Sequence, residues 1–168
     1  DEIINFLKNL GIKPIKTIKC SDLQEPVNGH PDMVMHPVDY ETFVVAPNVY
    51  DYYGNVLGSK GIKVIKGGKT LSRNYPEDIA YNVARVGNVA FHNLKYTDPV
   101  LANELISEGV ELVHVNQGYA KCSISVVDDS SIITSDPGIA KAAEKKGLDV
   151  LLTETEEEIK LPGVKYGF

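Results

Sequence analysis

The sequence predicts one α/β domain built from repeated units, each containing a helix, a short strand and a β-hairpin. A helix followed by a glycine and an apolar strand occurs four times along the 168 residues. A hairpin pattern, in which a tight turn separates two short strands, occurs three times in an independent register. A small repeated unit cannot bury its apolar face alone, so we expect the units to pack in a ring or a row.

A glycine marks the end of each predicted helix. The left-handed backbone conformation that closes a helix is open to glycine without a steric penalty. These glycines are Gly11, Gly61, Gly109 and Gly147. Their spacing therefore reflects the structure of the repeat.

Acidic residues before proline mark the start of two of these helices. Asp98 precedes Pro99 and Asp136 precedes Pro137, which places an N-cap carboxylate before a proline at the first helical position. We expect Asn48 to cap the second helix in the same way.

The hairpins provide the second register. A pattern of two strands joined by a turn is predicted in three segments, 36–47, 82–93 and 125–136. A flat, doubly wound sheet would also alternate helices with strands. A purely parallel sheet contains no hairpins, so the hairpins argue against that alternative. Carrying their register toward the N-terminus aligns three segments that are rich in functional side chains: 29–33, 75–79 and 118–122.

The composition is that of a globular domain, with 43% hydrophobic and 24% charged residues. The apolar runs fall far short of the roughly 20 residues that cross a bilayer, and the formal charge of −6 disfavours nucleic acid as a partner. Two cysteines are too few for a disulfide framework and indicate reduced thiols in a cytoplasmic protein. Because Asp1 already falls in a helical pattern, we expect residues 1–168 to be one domain that lacks terminal segments.

Two of the aligned segments contain recognisable motifs: Gly29-His30-Pro31-Asp32 in the first, and Gly118 followed by Cys122-Ser123 in the third. They resemble the G-H-x-D motif and the nucleophile segment of the guanidine-modifying, or pentein, superfamily. That superfamily includes arginine and agmatine deiminases, dimethylarginine hydrolases and amidinotransferases. The resemblance implies a pentein-like α/β propeller with units around a pseudo-fivefold axis, incomplete here because four helix units are visible.

The chain departs from the superfamily pattern in two respects. The glycine run that precedes the family's cysteine is reduced to Gly118, and an E-G-G-D element is absent from the sequence. An uncharacterised family with the same fold therefore remains a possible assignment.

In a ring, the aligned segments converge on the axis, which would bring together His30, Asp32, Glu77, Asp78, Lys121 and Cys122. The resemblance implies that the Cys122 thiolate attacks a guanidino carbon to form a thiouronium intermediate. It also implies that His30 protonates the leaving amine and later activates water. Asp32 with Glu77 or Asp78 would bind the planar cation through paired hydrogen bonds. Neither a metal nor a cofactor is implied.

Each candidate also has a structural interpretation. Cys122 could be a small buried apolar side chain, His30 could close a loop, and the two aspartates could cap turns. Lys121 could lower the pKa of the neighbouring thiol, although neighbours in a strand point to opposite faces. Four further residues are interpreted as structural: Cys20, His36, His92 and His114.

Two other segments are given no functional role. Residues 67–70 lack the spacing of a phosphate-binding loop and are interpreted as a turn. The acidic run at 154–158 is interpreted as a solvated turn or the start of a helix.

Three functions are compatible with these patterns. The first is a cysteine-dependent hydrolase or transferase acting on a small cationic guanidino or amidino compound. The second is a non-catalytic binding module on the same ring, and the third is a flat α/β domain that binds a ligand at its strand ends. The first requires Asp32 and one of Glu77 and Asp78 to share a cavity with His30, and Cys122 to be more reactive than Cys20.

Overall fold

The computed structural model describes residues 2–154. The helices are α1 (Glu2–Asn9), α2 (Pro31–Val34), α3 (Tyr50–Gly58), α4 (Pro99–Ser107) and α5 (Pro137–Glu144), with a short 3₁₀ turn at Pro47–Val49. The strands are β1 (Met35–Pro37), β2 (Thr42–Val45), β3 (Lys63–Lys66), β4 (Ala84–Val86), β5 (Val89–His92), β6 (Glu111–His114), β7 (Ile124–Asp128), β8 (Ser131–Thr134) and β9 (Asp149–Leu152).

The strands form three separate sheets, ordered β1-β2-β3, β4-β5-β6 and β7-β8-β9. In each sheet the first two strands are an antiparallel hairpin, and a helix then leads to a third strand parallel to the second. Each sheet, with the segment that leads into it and its helix, is one unit, numbered in chain order. In the first sheet, for example, Val44 lies between His36 and Ile65. The prediction of small mixed sheets is confirmed, and a single flat sheet is wrong for residues 2–154.

The helix ends follow the predicted signals at most positions. Asp98 accepts a hydrogen bond from the Leu101 N–H, and Asp136 accepts from the N–H groups of Gly138 and Ile139. The four predicted C-terminal glycines have φ between 76° and 82°. The expected Asn48 cap is wrong, because its amide instead bonds the Asp22 carboxylate and the backbone of Leu71.

Two apolar clusters join neighbouring units. The first packs Tyr53 of α3 with Tyr81 and Leu101 of the second unit, and the other packs Phe91 of β5 with the third unit. The sheets are therefore held together by side chains, without hydrogen bonds that would merge them into one sheet.

The first helix differs from the prediction. Helix α1 buries none of its residues, Leu10 of its apolar stripe is 60% exposed, and the segment 12–19 forms no strand. The copy of the repeat that ends its helix at Gly11 is therefore not a complete unit within residues 2–154. None of the helices in this part of the chain is both long enough and apolar enough to span a bilayer. Most of the acidic run, from residue 155 onward, lies outside the described residues.

Candidate active site around Cys122

Three units each contribute one residue to a common point. Met33, Asn82 and Cys122 each lie two residues before the first strand of their own sheet. The Asn82 amide nitrogen lies 3.5 Å from the Met33 sulfur and 3.4 Å from the Cys122 sulfur. Equivalent places in successive units therefore do converge.

Cys122 is held against Asp32, which is 90 positions away in the sequence. The thiol Sγ lies 3.3 Å from Asp32 Oδ2, and the Asn82 amide donates to the same oxygen at 3.0 Å. On its other side, Asn82 Oδ1 accepts from the backbone N–H groups of Lys121 and Cys122 at 3.0 and 3.4 Å. Asn82 therefore contacts both the thiol and the carboxylate, and no pattern in the sequence had singled out this residue.

The environment keeps the Cys122 thiol protonated. Burial and then the negative charge of Asp32 raise its pKa to about 11, whereas the Lys121 charge has only a small lowering effect. Lys121 therefore lowers the pKa of the thiol, as the sequence suggested, but its effect is smaller than those of burial and Asp32. Cys20 is a buried free cysteine, and its pKa is also raised by burial.

His30 lies at the edge of this group, immediately before α2. Its side chain is 58% exposed, and its Nδ1 is 3.9 Å from Asp32 Oδ1. That separation is too long for a hydrogen bond, so His30 is near the carboxylate without being fixed by it.

Asp32 and Lys121 line an open cleft of about 720 Å³, which we call the Asp32 cleft. Its walls include the acidic Asp39 and Asp129, the aromatic Tyr40 and Phe43, and also His36 and Arg85. Among the described residues, His30, Glu77 and Asp78 are not part of its walls. Cys122 lines a second, polar cleft of about 480 Å³ together with Ser123, Thr134 and Asp136.

The predicted positions of Glu77 and Asp78 are wrong. Asp78 is 2% exposed, and its Oδ2 accepts a hydrogen bond of 2.6 Å from the Tyr119 hydroxyl. Burial raises the pKa of Asp78. Glu77 is exposed on the surface. Neither carboxylate joins Asp32 at the cleft.

A register error explains this outcome. Asp32 lies three residues before β1, whereas Asp78 lies six residues before β4, where the residue three before the strand is Tyr81. The second hairpin has a two-residue turn between β4 and β5, and the first has four residues between β1 and β2. An alignment that gives the hairpins equal length therefore accounts for two of the three positions by which the second segment was shifted.

Hydrogen bonds from several side chains stabilise the turn that precedes Cys122. Nε2 of the buried His92 lies 2.9 Å from the Gly118 carbonyl oxygen, and its Nδ1 lies 2.7 Å from the Thr97 hydroxyl. Gln117 donates to the Asp136 carboxylate at 3.2 Å. Within the part of the chain that the structure describes, His, Cys, Asp and Glu form no group of three or more that could hold a metal ion.

Comparison with models of known protein families shows to which family the chain belongs. A family model described as "Family of unknown function (DUF6873)" matches residues 1–168. The chain belongs to this family. No curated protein matches it significantly.

Solved structures show which fold the DUF6873 chain has. A dimethylarginine dimethylaminohydrolase, in an adduct with 4-chloro-2-hydroxymethylpyridine, matches with a TM-score of 0.53 and 10% identity over 91% of this chain. This chain spans 59% of that enzyme's length. An amidinotransferase of the saxitoxin pathway from Microseira wollei is similar over 95% of this chain and 63% of its own, with a TM-score of 0.48 and 14% identity. The resemblance to the pentein superfamily is thereby confirmed at the level of the fold.

Proposed function

We propose that this chain is a cysteine-dependent hydrolase or transferase of guanidino or amidino compounds, with Cys122 as the nucleophile. The observation that carries the proposal is the 3.3 Å contact between the Cys122 thiol and the Asp32 carboxylate, made between different units of the repeat. This contact supports the proposal because a carboxylate can bind a planar cation through charge-assisted hydrogen bonds, next to the thiol that would attack it.

The charge on Asp32 links substrate binding to activation of the thiol. Burial and then Asp32 raise the pKa of Cys122, so an amidinium or guanidinium that neutralises Asp32 removes the Asp32 contribution and adds a nearby positive charge. Asp39 and Asp129 add further negative charge to the same cleft. A cation bound at Asp32 would therefore favour the thiolate of Cys122, which is the reactive form.

The chemistry then follows from the reactivity of a thiolate. The Cys122 sulfur forms a bond to the guanidino carbon, and one carbon–nitrogen bond breaks. The leaving amine takes its proton from His30, whose exposure allows exchange with solvent. Water, deprotonated by His30, or an acceptor amine then adds to the same carbon, and the thiol is released. Hydrolysis yields a urea-type or amide product.

We further infer that the units belong to a ring like that of an α/β propeller. The support is the meeting of Met33, Asn82 and Cys122 from three units at one point, since equivalent residues converge on the axis of a ring. The site would then lie at that axis.

Alkylation with and without a positive charge on the reagent tests the proposal. We expect 2-chloroacetamidine, a cation, to label Cys122 faster than the neutral chloroacetamide, by about tenfold if the amidinium makes charge-assisted contacts with Asp32. Asp32→Asn should abolish this preference. The same substitution should accelerate labelling by iodoacetamide several-fold, because it removes a charge that raises the thiol pKa.

Asp51→Asn is the matched control, since Asp51 is exposed on α3 and outside the Asp32 cleft. It should leave both rates unchanged, as measured by mass spectrometry of the Cys122 peptide. Equal labelling by the cationic and neutral chloro reagents would contradict a cysteine enzyme for cationic substrates. It would favour a binding module on the same fold.

A further inference from the structure

The third sheet exposes apolar side chains at positions that the first two sheets bury. The third residue of the middle strand is Val44 in the first sheet and Phe91 in the second, and each is fully buried in an apolar cluster shared with the next unit. The equivalent residue of the third sheet, Ile133, is only half-buried, and its partner on β9, Leu151, is 59% exposed. Val127 of β7 is 60% exposed. We call these last three residues the third-sheet surface.

A second exposed apolar surface lies in residues 2–19, which we call the N-terminal segment. Ile3, Phe6 and Leu10 recur at helical spacing, so they lie on one side of α1, and they are 71%, 63% and 60% exposed. Ile12, which follows the helix, is 48% exposed. Contiguous apolar side chains in contact with water are typical of a surface that binds another protein.

The two surfaces carry opposite charges. The N-terminal segment contains one acidic residue, Glu2, and four lysines that form no ion pair within residues 2–154. The lysines are Lys8, Lys13, Lys16 and Lys19. The strands of the third sheet and the turn between β7 and β8 contain acidic residues but neither lysine nor arginine. Two of the acids, Asp128 and Asp149, lie level with Ser131 at one end of the sheet. Such complementarity speeds association and sets the orientation of the partners.

We propose that the third-sheet surface binds the N-terminal segment of a second copy of this chain. The apolar side of α1 packs on Leu151 and its neighbours, and the lysines lie against the acidic end of the sheet. Every copy carries both surfaces, so each copy offers what the other lacks. Because the two surfaces differ, the contact is head-to-tail, and association continues until a ring closes. This inference does not depend on the chemistry at Cys122.

Sedimentation velocity of the chain over a range of protein concentrations tests the proposal. We expect the mean sedimentation coefficient to rise with concentration, and to rise less in high salt, because salt screens exposed charges. Phe6→Ser and Leu151→Ser each damage one of the two surfaces. Each should weaken self-association by about tenfold or more, the effect of losing one large apolar side chain from an interface.

A mixture of the two variants tests the head-to-tail arrangement. The Phe6→Ser chain keeps an intact third-sheet surface, and the Leu151→Ser chain keeps an intact N-terminal segment. An equimolar mixture should therefore form a dimer with one intact contact and grow no further, at a concentration where either variant alone is monomeric. Ile106→Ser is the matched control, since Ile106 is 57% exposed on α4 and belongs to neither surface. It should associate as the unsubstituted chain does.

Three results would overturn the proposal. The first is a chain that stays monomeric at millimolar concentration, which is expected if residues 155–168 of the same chain cover the third-sheet surface instead. The second is self-association that neither Phe6→Ser nor Leu151→Ser weakens. The third is a mixture that stays monomeric although each variant is folded by circular dichroism. That result would favour a symmetric contact between two identical surfaces.

Discussion

The segment 29–34 of the first unit and the segment 118–123 of the third unit occupy the same place in the repeat. Each contains a sulfur-bearing residue two positions before a strand, Met33 or Cys122, and Asn82 contacts both sulfurs. The first segment is a short helical turn with open space beside Gly29. The other is packed tightly and is held by several side chains. The two segments therefore occupy equivalent positions in the repeat, but the backbone at Gly118 is packed closely against Ile79 and Tyr75 of the second unit, whereas the backbone at Gly29 is not.

The largest expected effect comes from removing the residue that joins the two segments. Asn82→Ala deletes the acceptor for the backbone N–H groups of Lys121 and Cys122 and the donor to Asp32. We expect a loss of about 3 kcal/mol in the free energy of unfolding, because buried polar groups lose their partners. Urea denaturation measures this. Met33→Leu keeps the volume and should cost less than about 1.5 kcal/mol. Equal losses in the two variants would mean that Asn82 only fills space.

Replacing Gly118 and Gly29 with alanine compares how tightly the two segments are packed. In Gly118→Ala the new Cβ would lie 2.6 Å from the Ile79 side chain and 2.7 Å from that of Tyr75, so we expect a loss of about 1–3 kcal/mol from overpacking. Gly29 has nothing within 4 Å of the corresponding position, so Gly29→Ala should stay within about 0.5 kcal/mol. Thermal unfolding of both variants gives the comparison, and an equal response would show that the segments are packed alike.

The smallest expected effect is on the pH dependence of the free energy of unfolding, through His36 of the first unit. The pKa of His36 is lowered to about 3, mainly by burial, below the value of about 6.5 in an unfolded chain. As the pH falls from 6.5 toward 3, the unfolded state gains a proton that the folded state does not, so stability is lost. The slope is about 1.4 kcal/mol per pH unit for this histidine.

The His36 contribution to this slope is the difference between the pH dependence of the free energy of unfolding in the wild-type chain and that in the His36→Phe variant. His92, with a pKa lowered to about 4 chiefly by burial, and Asp78, with a raised pKa, contribute to both and cancel. We expect the wild-type chain to lose about 1 kcal/mol more than the variant between pH 6 and pH 5, measured by urea denaturation at each pH. Parallel pH profiles would show that the pKa of His36 is not lowered in the folded chain.

The sequence predicted those features that depend on local chemistry. Glycines with positive φ and the caps at Asp98 and Asp136 were predicted because one residue type suits each backbone position. The convergence of Asp32 and Cys122 was predicted from the register of the first and third units, whose hairpins have the same span.

The parts that failed depend on lengths and contacts that local patterns do not encode. A shorter turn in the second hairpin moved Asp78 out of register. Asn82 is the first residue of the predicted hairpin 82–93. An asparagine at such a position is also typical of a turn, so it was not recognised as a site residue.

The contact between Cys122 and Asp32 also has a consequence for oxidative damage. With a thiol pKa of about 11, only on the order of one molecule in ten thousand carries the thiolate at pH 7. Peroxides attack the thiolate far faster than the thiol, and the resulting sulfinic and sulfonic acids are not readily reversed. Under the proposed mechanism, a cation that neutralises Asp32 would favour ionisation of Cys122, so without substrate the sulfur would meet solvent oxidants mainly as the inert thiol. Burial and the Asp32 charge together would thus protect the sulfur from oxidation.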